Sequence, residues 1–136
     1  GVLDKLQPLA EAKGLAVVFA IGEVSHLTAD EGRLTQVITN LLSNAIKYSP
    51  VGGQVVLKVF RRNGFVHFNI ENEGQPLPEE ALEKVWESFY RTEQSRTSEG
   101  TGLGLSICKA IIELHRGTCR AKNTSTGVEF GFVLPL

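Results

Sequence analysis

The sequence predicts an α+β fold, a two-layer α/β sandwich in which one mixed, mostly antiparallel sheet of about five strands is covered on one face by about three helices. Three observations point there. Leu34, Val37, Ile38, Leu41, Leu42, Ala45 and Ile46 recur at steps of three and four, the apolar stripe of a packed helix. Two runs of alternating character, Gln54–Arg61 and Phe65–Ile70, meet at Asn63-Gly64, the strongest short-range signal for a hairpin. Helices and strands mix without the strict βαβ rhythm of an all-parallel sheet.

The remaining elements follow in order. Leu3–Lys13 carries apolar residues at Leu3, Leu6 and Leu9/Ala10 and stops at Gly14, which reads as a short helix with a glycine stop. Leu15–Ile21 is an apolar, β-branched run of strand length. Thr28 and Glu31 have capping-box spacing ahead of the long helix, which should end near Tyr48 because Pro50 cannot continue it. Pro78–Trp86 reads as a short helix. Arg91–Gly102 is polar and aperiodic, the pattern of a mobile loop. Leu103–His115 forms a second amphipathic helix that closes before Gly117. Thr118–Asn123 reads as a strand, Ser125–Gly127 as a turn, and Val128–Leu134 as a last strand whose even-numbered positions are all apolar.

Composition narrows the function. The 136 residues fit a single domain spanning 1–136, and 42% hydrophobic content supplies a real core. A net charge of −1 with 21% charged residues excludes a disordered arm and a non-specific nucleic-acid binder, which needs a surplus of Lys and Arg. Cys108 and Cys119 are too few for a disulfide scaffold and lack metal-ligand spacing, which points to a reducing, cytoplasmic setting. No apolar run approaches the roughly 18 residues a membrane helix needs, and the first residues lack a signal-peptide pattern. Glycine is in excess, 14 residues, and the informative ones lie between Gly74 and Gly104.

Three constellations can carry chemistry. On the long helix, Arg33, Gln36, Asn40, Asn44 and Lys47 share a stripe opposite the apolar one, with Tyr48 at its edge. Asparagine is a poor helix former, yet an amide oxygen suits a hard cation such as Mg²⁺, and Lys47 suits a phosphate. A merely solvated polar face has the same pattern. Glu71-Asn72-Glu73-Gly74-Gln75-Pro76, directly after a strand, reads either as recognition of a base edge or as an ordinary surface turn. Gly100-Thr101-Gly102-Leu103-Gly104-Leu105 abuts a helix. Its glycines let backbone N–H groups approach a polyphosphate, to which the helix N-terminus adds partial positive charge, and a flexible linker is the plainer alternative. The run is neither a Walker loop nor the dinucleotide fingerprint. His26, His67 and His115 do not cluster, and none has the acidic neighbour and downstream helical proline of a phosphorylated histidine. Cys108 reads as a small core hydrophobe, and Trp86 and Phe89 as core anchors.

These segments, in this order, resemble the catalytic and ATP-binding domain of sensor histidine kinases, within the superfamily that includes gyrase and MutL ATPases. Gln36-Val-Ile-Thr-Asn40-Leu-Leu-Ser-Asn44-Ala-Ile-Lys47-Tyr48-Ser-Pro50 is similar to the family's asparagine motif, and Val85-Trp-Glu-Ser-Phe89-Tyr90-Arg91 to its phenylalanine motif. Gly100–Ile107 resembles the second glycine motif, and Gly127–Pro135 the closing one. The resemblance covers essentially the whole chain and implies the Bergerat-type ATP-binding fold.

It further implies Mg²⁺ on Asn44 with Asn40 beside it, phosphate contacts from Lys47, Arg91 and the backbone at Gly102 and Gly104, and Tyr48 on the base or sugar. Residues 91–102 would form a lid. Asn72 and Gly74 stand in the first glycine motif, where the family usually places an aspartate at the position of Asn72; an amide oxygen still accepts from the adenine amino group but without charge assistance. Pro76 replaces that motif's second glycine, and Val128 a common threonine. The implied function is a histidine autokinase module that binds ATP with Mg²⁺ and donates phosphate to a histidine on a separate helical dimerisation domain, from which it passes to a response regulator. The acceptor histidine would lie elsewhere, in a longer, membrane-anchored receptor of which this domain is a monomeric cytoplasmic part. An anti-sigma-factor-type serine kinase and a non-catalytic ATP-gated module are the rival readings.

Overall fold

The computed structural model describes residues 3–22, 31–87 and 104–135. Its elements are α1 (Leu3–Ala12), β1 (Ala16–Ile21), α2 (Glu31–Tyr48), β2 (Gln54–Arg62), β3 (Phe65–Glu73), α3 (Ala81–Lys84), α4 (Gly104–Leu114), β4 (Thr118–Asn123) and β5 (Gly127–Pro135). The expected capping box at 28–31 and the loop at 91–102 reach or lie outside the described residues.

Local chemistry sets the boundaries. α1 closes in a Schellman motif: Leu15 N–H donates to Ala10 O (2.9 Å), Gly14 N–H donates to Glu11 O (3.0 Å), and Gly14 has φ +63°. Its buried Leu6 and Ala10 lie one turn apart on the inner side. The β2–β3 hairpin turns on Asn63 (φ 53°) and Gly64 (φ 80°), both on the left-handed side as a type I′ turn requires, so Arg62 faces Phe65 across a two-residue loop.

The five strands form one sheet in the order β1-β2-β3-β5-β4. β1 pairs parallel with β2, joined by the crossover through α2, and every other pair is antiparallel. The mixed, mostly antiparallel sheet is therefore as expected. Alternation then divides its two faces. Val55 and Leu57, Val66, Phe68 and Ile70, and Val128, Phe130, Phe132 and Leu134 are buried and pack with Val37, Leu41, Leu42 and Ala45 of α2 and Cys108, Ile111 and Ile112 of α4. Phe68 and Phe132, opposite each other in register, stack at 4.5 Å. Val37, Leu41 and Ala45 are fully shielded from solvent, so trimming Leu41 to alanine removes about 2–5 kcal/mol of stability. The opposite face carries Lys58, Arg120 and Lys122, a Phe60–His67 stack at 4.9 Å and a Lys122–Glu129 ion pair at 3.5 Å.

Two bounds differ from the sequence reading. β3 runs three residues past Ile70, because Glu71, Asn72 and Glu73 pair with Glu129, Val128 and Gly127 of β5. The short helix is a single turn, Ala81–Lys84, inside the expected Pro78–Trp86. Before it, Leu77 and Asn123 exchange two hydrogen bonds, Leu77 N–H to Asn123 Oδ1 (2.9 Å) and Asn123 Nδ2 to Leu77 O (2.8 Å), which fasten the segment after Gly74 to the end of β4.

Candidate functional site

The polar stripe of α2 lies where the sequence puts it. Asn40 and Asn44 are half-buried, Arg33, Gln36 and Lys47 are exposed, and Tyr48 is half-buried at the helix end. Lys47 Nζ sits 5.5 Å from the centre of the Tyr48 ring. A buried stripe would have demanded partners for each amide, and a fully exposed one would have offered none of the desolvation that strengthens a polar contact. Half-burial suits a binding groove.

Asn72 is not in a turn. It occupies the last part of β3, on the side of the sheet that faces the helices, and is 4% exposed. Its Nδ2 donates to Glu73 O at 3.0 Å, which leaves the amide oxygen as its accepting end. Gly74 follows with φ +144°. A side-chain carbon there would lie 3.2 Å from Tyr48 O and 3.7 Å from Asn72 Nδ2, so this glycine is what lets the end of β3 close on the end of α2. Gly127 completes the approach, since a side-chain carbon on it would fall on the Asn72 carbonyl. Tyr48, Asn72 and Gly74 are thus brought together from two elements far apart in sequence.

α4 supplies the other wall. Cys108, fully buried, donates to Val37 O at 3.8 Å, and the Asn40 side chain acts on the same thiol, favouring its charged form. Burial raises the Cys108 thiol from 9.0 to about 11, against the smaller lowering by Asn40. Asn40 therefore couples α2 to α4, a role its spacing on the helix did not announce. At the start of α4 Gly104 is exposed, with open space where a side chain would begin, and Leu105 is half-buried against the core. Gly100, Thr101, Gly102, Leu103 and Arg91 lie outside the described residues, as do Phe89 and His26. His67 and His115 are structural: the first stacks on Phe60, and the second bonds Ile111 O through Nδ1 at 2.8 Å.

The profile of the family described as "Histidine kinase-, DNA gyrase B-, and HSP90-like ATPase" matches residues 29–136. The chain belongs to that family. It is 35% identical to the sensor histidine kinase CusS of Escherichia coli O157:H7 over 98% of its own length and 28% of that protein's. The solved catalytic domain of histidine kinase ThkA superposes with a TM-score of 0.87 at 32% identity, covering 98% of this chain and 87% of that one. ThkA has also been solved in complex with the response regulator protein TrrA (TM-score 0.80, 29% identity, 98% and 38% covered). Full-length ShkA in complex with AMPPNP matches at 0.87 and 29% identity, with 98% and 28% covered. The chain thus has the fold of a histidine kinase catalytic domain and spans about a quarter of the length of CusS.

Membership in this ATPase family fits the donor chemistry in hand. Among the described residues no group of three or more His, Cys, Asp or Glu side chains converges as a metal cage. What α2 offers is amide oxygen, suited to Mg²⁺ that keeps most of its water and shares its ligands with phosphate. Among the same residues no helix is long and apolar enough to cross a membrane.

Proposed function

We propose that this domain binds ATP with Mg²⁺ and donates the γ-phosphoryl group to a histidine on the helical dimerisation domain of the same full-length kinase, from which it passes to a response regulator. The meeting of the end of β3, carrying Asn72 and Gly74, with the end of α2 at Tyr48 beside the Asn40/Asn44 stripe supports the reading, because it sets a buried amide acceptor next to an oxygen-donor helix. ThkA's complex with TrrA and ShkA's with AMPPNP support the partner and the nucleotide.

In this reading Asn72 accepts from the adenine amino group, Gly74 lets the end of β3 close on α2 beside the base, and Tyr48 flanks base or sugar. Asn44, with Asn40 beside it, holds Mg²⁺, which spreads the charge of the phosphates. Lys47 and Arg91 pair with phosphate oxygens. The backbone of Gly100, Thr101, Gly102 and Leu103 and the α4 N-terminus at Gly104 and Leu105 receive the remaining charge. Residues 91–102 close over the nucleotide and exclude water. The domain works as a monomer on the cytoplasmic side of a membrane-anchored sensor, where ATP is available and Cys108 and Cys119 stay reduced. Its net charge of −1 suits no nucleic-acid partner.

Calorimetric titration with ATP, with and without Mg²⁺, tests this on the wild-type chain and Asn44→Ala. The variant keeps its melting temperature, since Ala gains a few tenths of a kcal/mol at a helix position. Its Mg²⁺-dependent affinity falls about tenfold or more, as expected for a lost ligand. Unchanged affinity removes the metal role of Asn44, and acid-labile label from γ-phosphate on this chain alone contradicts a separate acceptor.

A further inference from the structure

The last turn of α2 ends in carbonyls that no helical N–H can meet. Ala45 O receives Ser49 N–H (3.0 Å) and the Ser49 hydroxyl (2.7 Å). The next ones are met from a different element. Lys13, the C-cap residue of α1, donates from Nζ to Ile46 O (3.1 Å), Lys47 O (2.7 Å) and Ser49 O (3.0 Å). An ammonium carries three N–H bonds, and here each finds a backbone oxygen. Tyr48 O, between them, faces Gly74. The backbone of Lys13 grips the following turn as well, since Gly52 N–H donates to Lys13 O at 2.8 Å, while Gly53 O accepts from Ala16 N–H at 3.1 Å.

The Schellman motif that ends α1 fixes where Lys13 starts, so its reach is set by rigid backbone at both ends. The ammonium also opposes the partial negative charge of the α2 C-terminus, which lies in the same turn as Lys47 and Tyr48. Without it, three oxygens would turn to water and that turn would fray.

We infer that Lys13 is a positioning residue for nucleotide binding: it clamps the final turn of α2, so that Lys47 and Tyr48 are held in place before ATP arrives. The inference rests on the proposed ATP site. It assigns to α1, which contributes no residue to that site, the task of setting its geometry.

The test pairs Lys13→Met, which keeps the stem and loses all three donors, with Val66→Ala. Val66 is buried at the far end of β3 from Asn72, so its loss lowers stability without touching α2's end. Titration with Mg-ADP and amide hydrogen exchange without nucleotide are read on both, at temperatures equally far below each melting point. Lys13→Met weakens Mg-ADP binding about five- to twentyfold, the scale of one or two charge-assisted hydrogen bonds, and speeds exchange at Gly52. Val66→Ala does neither. Lys13→Arg recovers part of the affinity, since a planar fork reaches fewer of three clustered oxygens. Wild-type affinity in Lys13→Met overturns the inference, as does an equal loss in both variants. A wild-type chain that binds no nucleotide overturns the ATP site itself, and faster exchange at Gly52 in Lys13→Met then marks the clamp as structural only.

Discussion

The backbone carbonyl of Asn72 fills the space that a side chain on residue 127 would need, so Gly127 and Asn72 pack backbone to backbone where β3 ends and β5 begins. Gly127→Ala forces that pair of strands apart. The expected loss is about 3 kcal/mol, the upper part of the range for overpacking. It reads as a drop in melting temperature, and ATP affinity falls with it because Asn72 moves. A melt indistinguishable from wild type contradicts the contact.

Asn72→Asp separates stability from binding. In the free protein the carboxylate loses the Nδ2 bond to Glu73 O and sets an oxygen against that carbonyl, costing about 1–3 kcal/mol. Toward adenine the same carboxylate accepts with charge assistance, so ATP binds roughly three- to tenfold tighter, in keeping with the greater strength of such bonds. The melt falls while affinity rises. If ATP affinity is unchanged or lower, Asn72 does not touch the base.

The alkaline arm of stability depends on Cys108. Burial keeps its thiol protonated up to about 11, while an unfolded chain releases the proton near 9.0. The folded state then holds the extra proton, so this contribution is complete below pH 9 and is lost as pH rises through the folded value. The slope approaches 1.4 kcal/mol per pH unit in that window, about one proton's worth. Cys108→Ala is less stable at pH 7 through lost packing, but its denaturation midpoint declines less steeply above pH 9. Parallel declines would show that the thiol does not titrate as its burial demands.

Arg116 ends α4 in a left-handed conformation, φ 62°, at the position of a Schellman motif that favours glycine; its N–H donates to Glu113 O at 3.0 Å, and Gly117 N–H donates to Ile112 O at 2.9 Å. Arg116→Gly relieves that conformation and stabilises the domain by about 0.5–1 kcal/mol, partly offset by backbone entropy. Chemical denaturation checks the sign. A less stable variant shows that the arginine side chain makes a compensating contact.

The apolar stripe of α2 and the alternation of β5 were legible because one face of each must leave water, and burial writes its period into the residues. The Asn63-Gly64 hairpin was legible because its turn needs two left-handed residues. The end of β3 was not. Glu-Asn-Glu has no strand propensity, and only pairing with Gly127, Val128 and Glu129 extends it. That hid the burial of Asn72, though not its candidacy. Lys13 gave no signal at all: a lysine before a glycine is an ordinary helix end, and its oxygens lie 33 to 36 residues away. Asn40 was found as a polar stripe residue, but its influence on the Cys108 thiol depends on α2 and α4 meeting, which periodicity cannot report.

Tyr48, Asn72 and Gly127 come from three stretches of chain that meet only when α2 is docked and β3 has paired with β5. Such distant partners join late in folding, after the local hairpin and helices have formed. A nucleotide site built on these residues would therefore have no partly assembled form. On the proposed reading, a chain caught at the hairpin stage carries no fraction of the binding capacity, and nucleotide recognises only the finished sheet. Ligand binding then draws on the global folding equilibrium and protects the whole domain at once, rather than one loop of it.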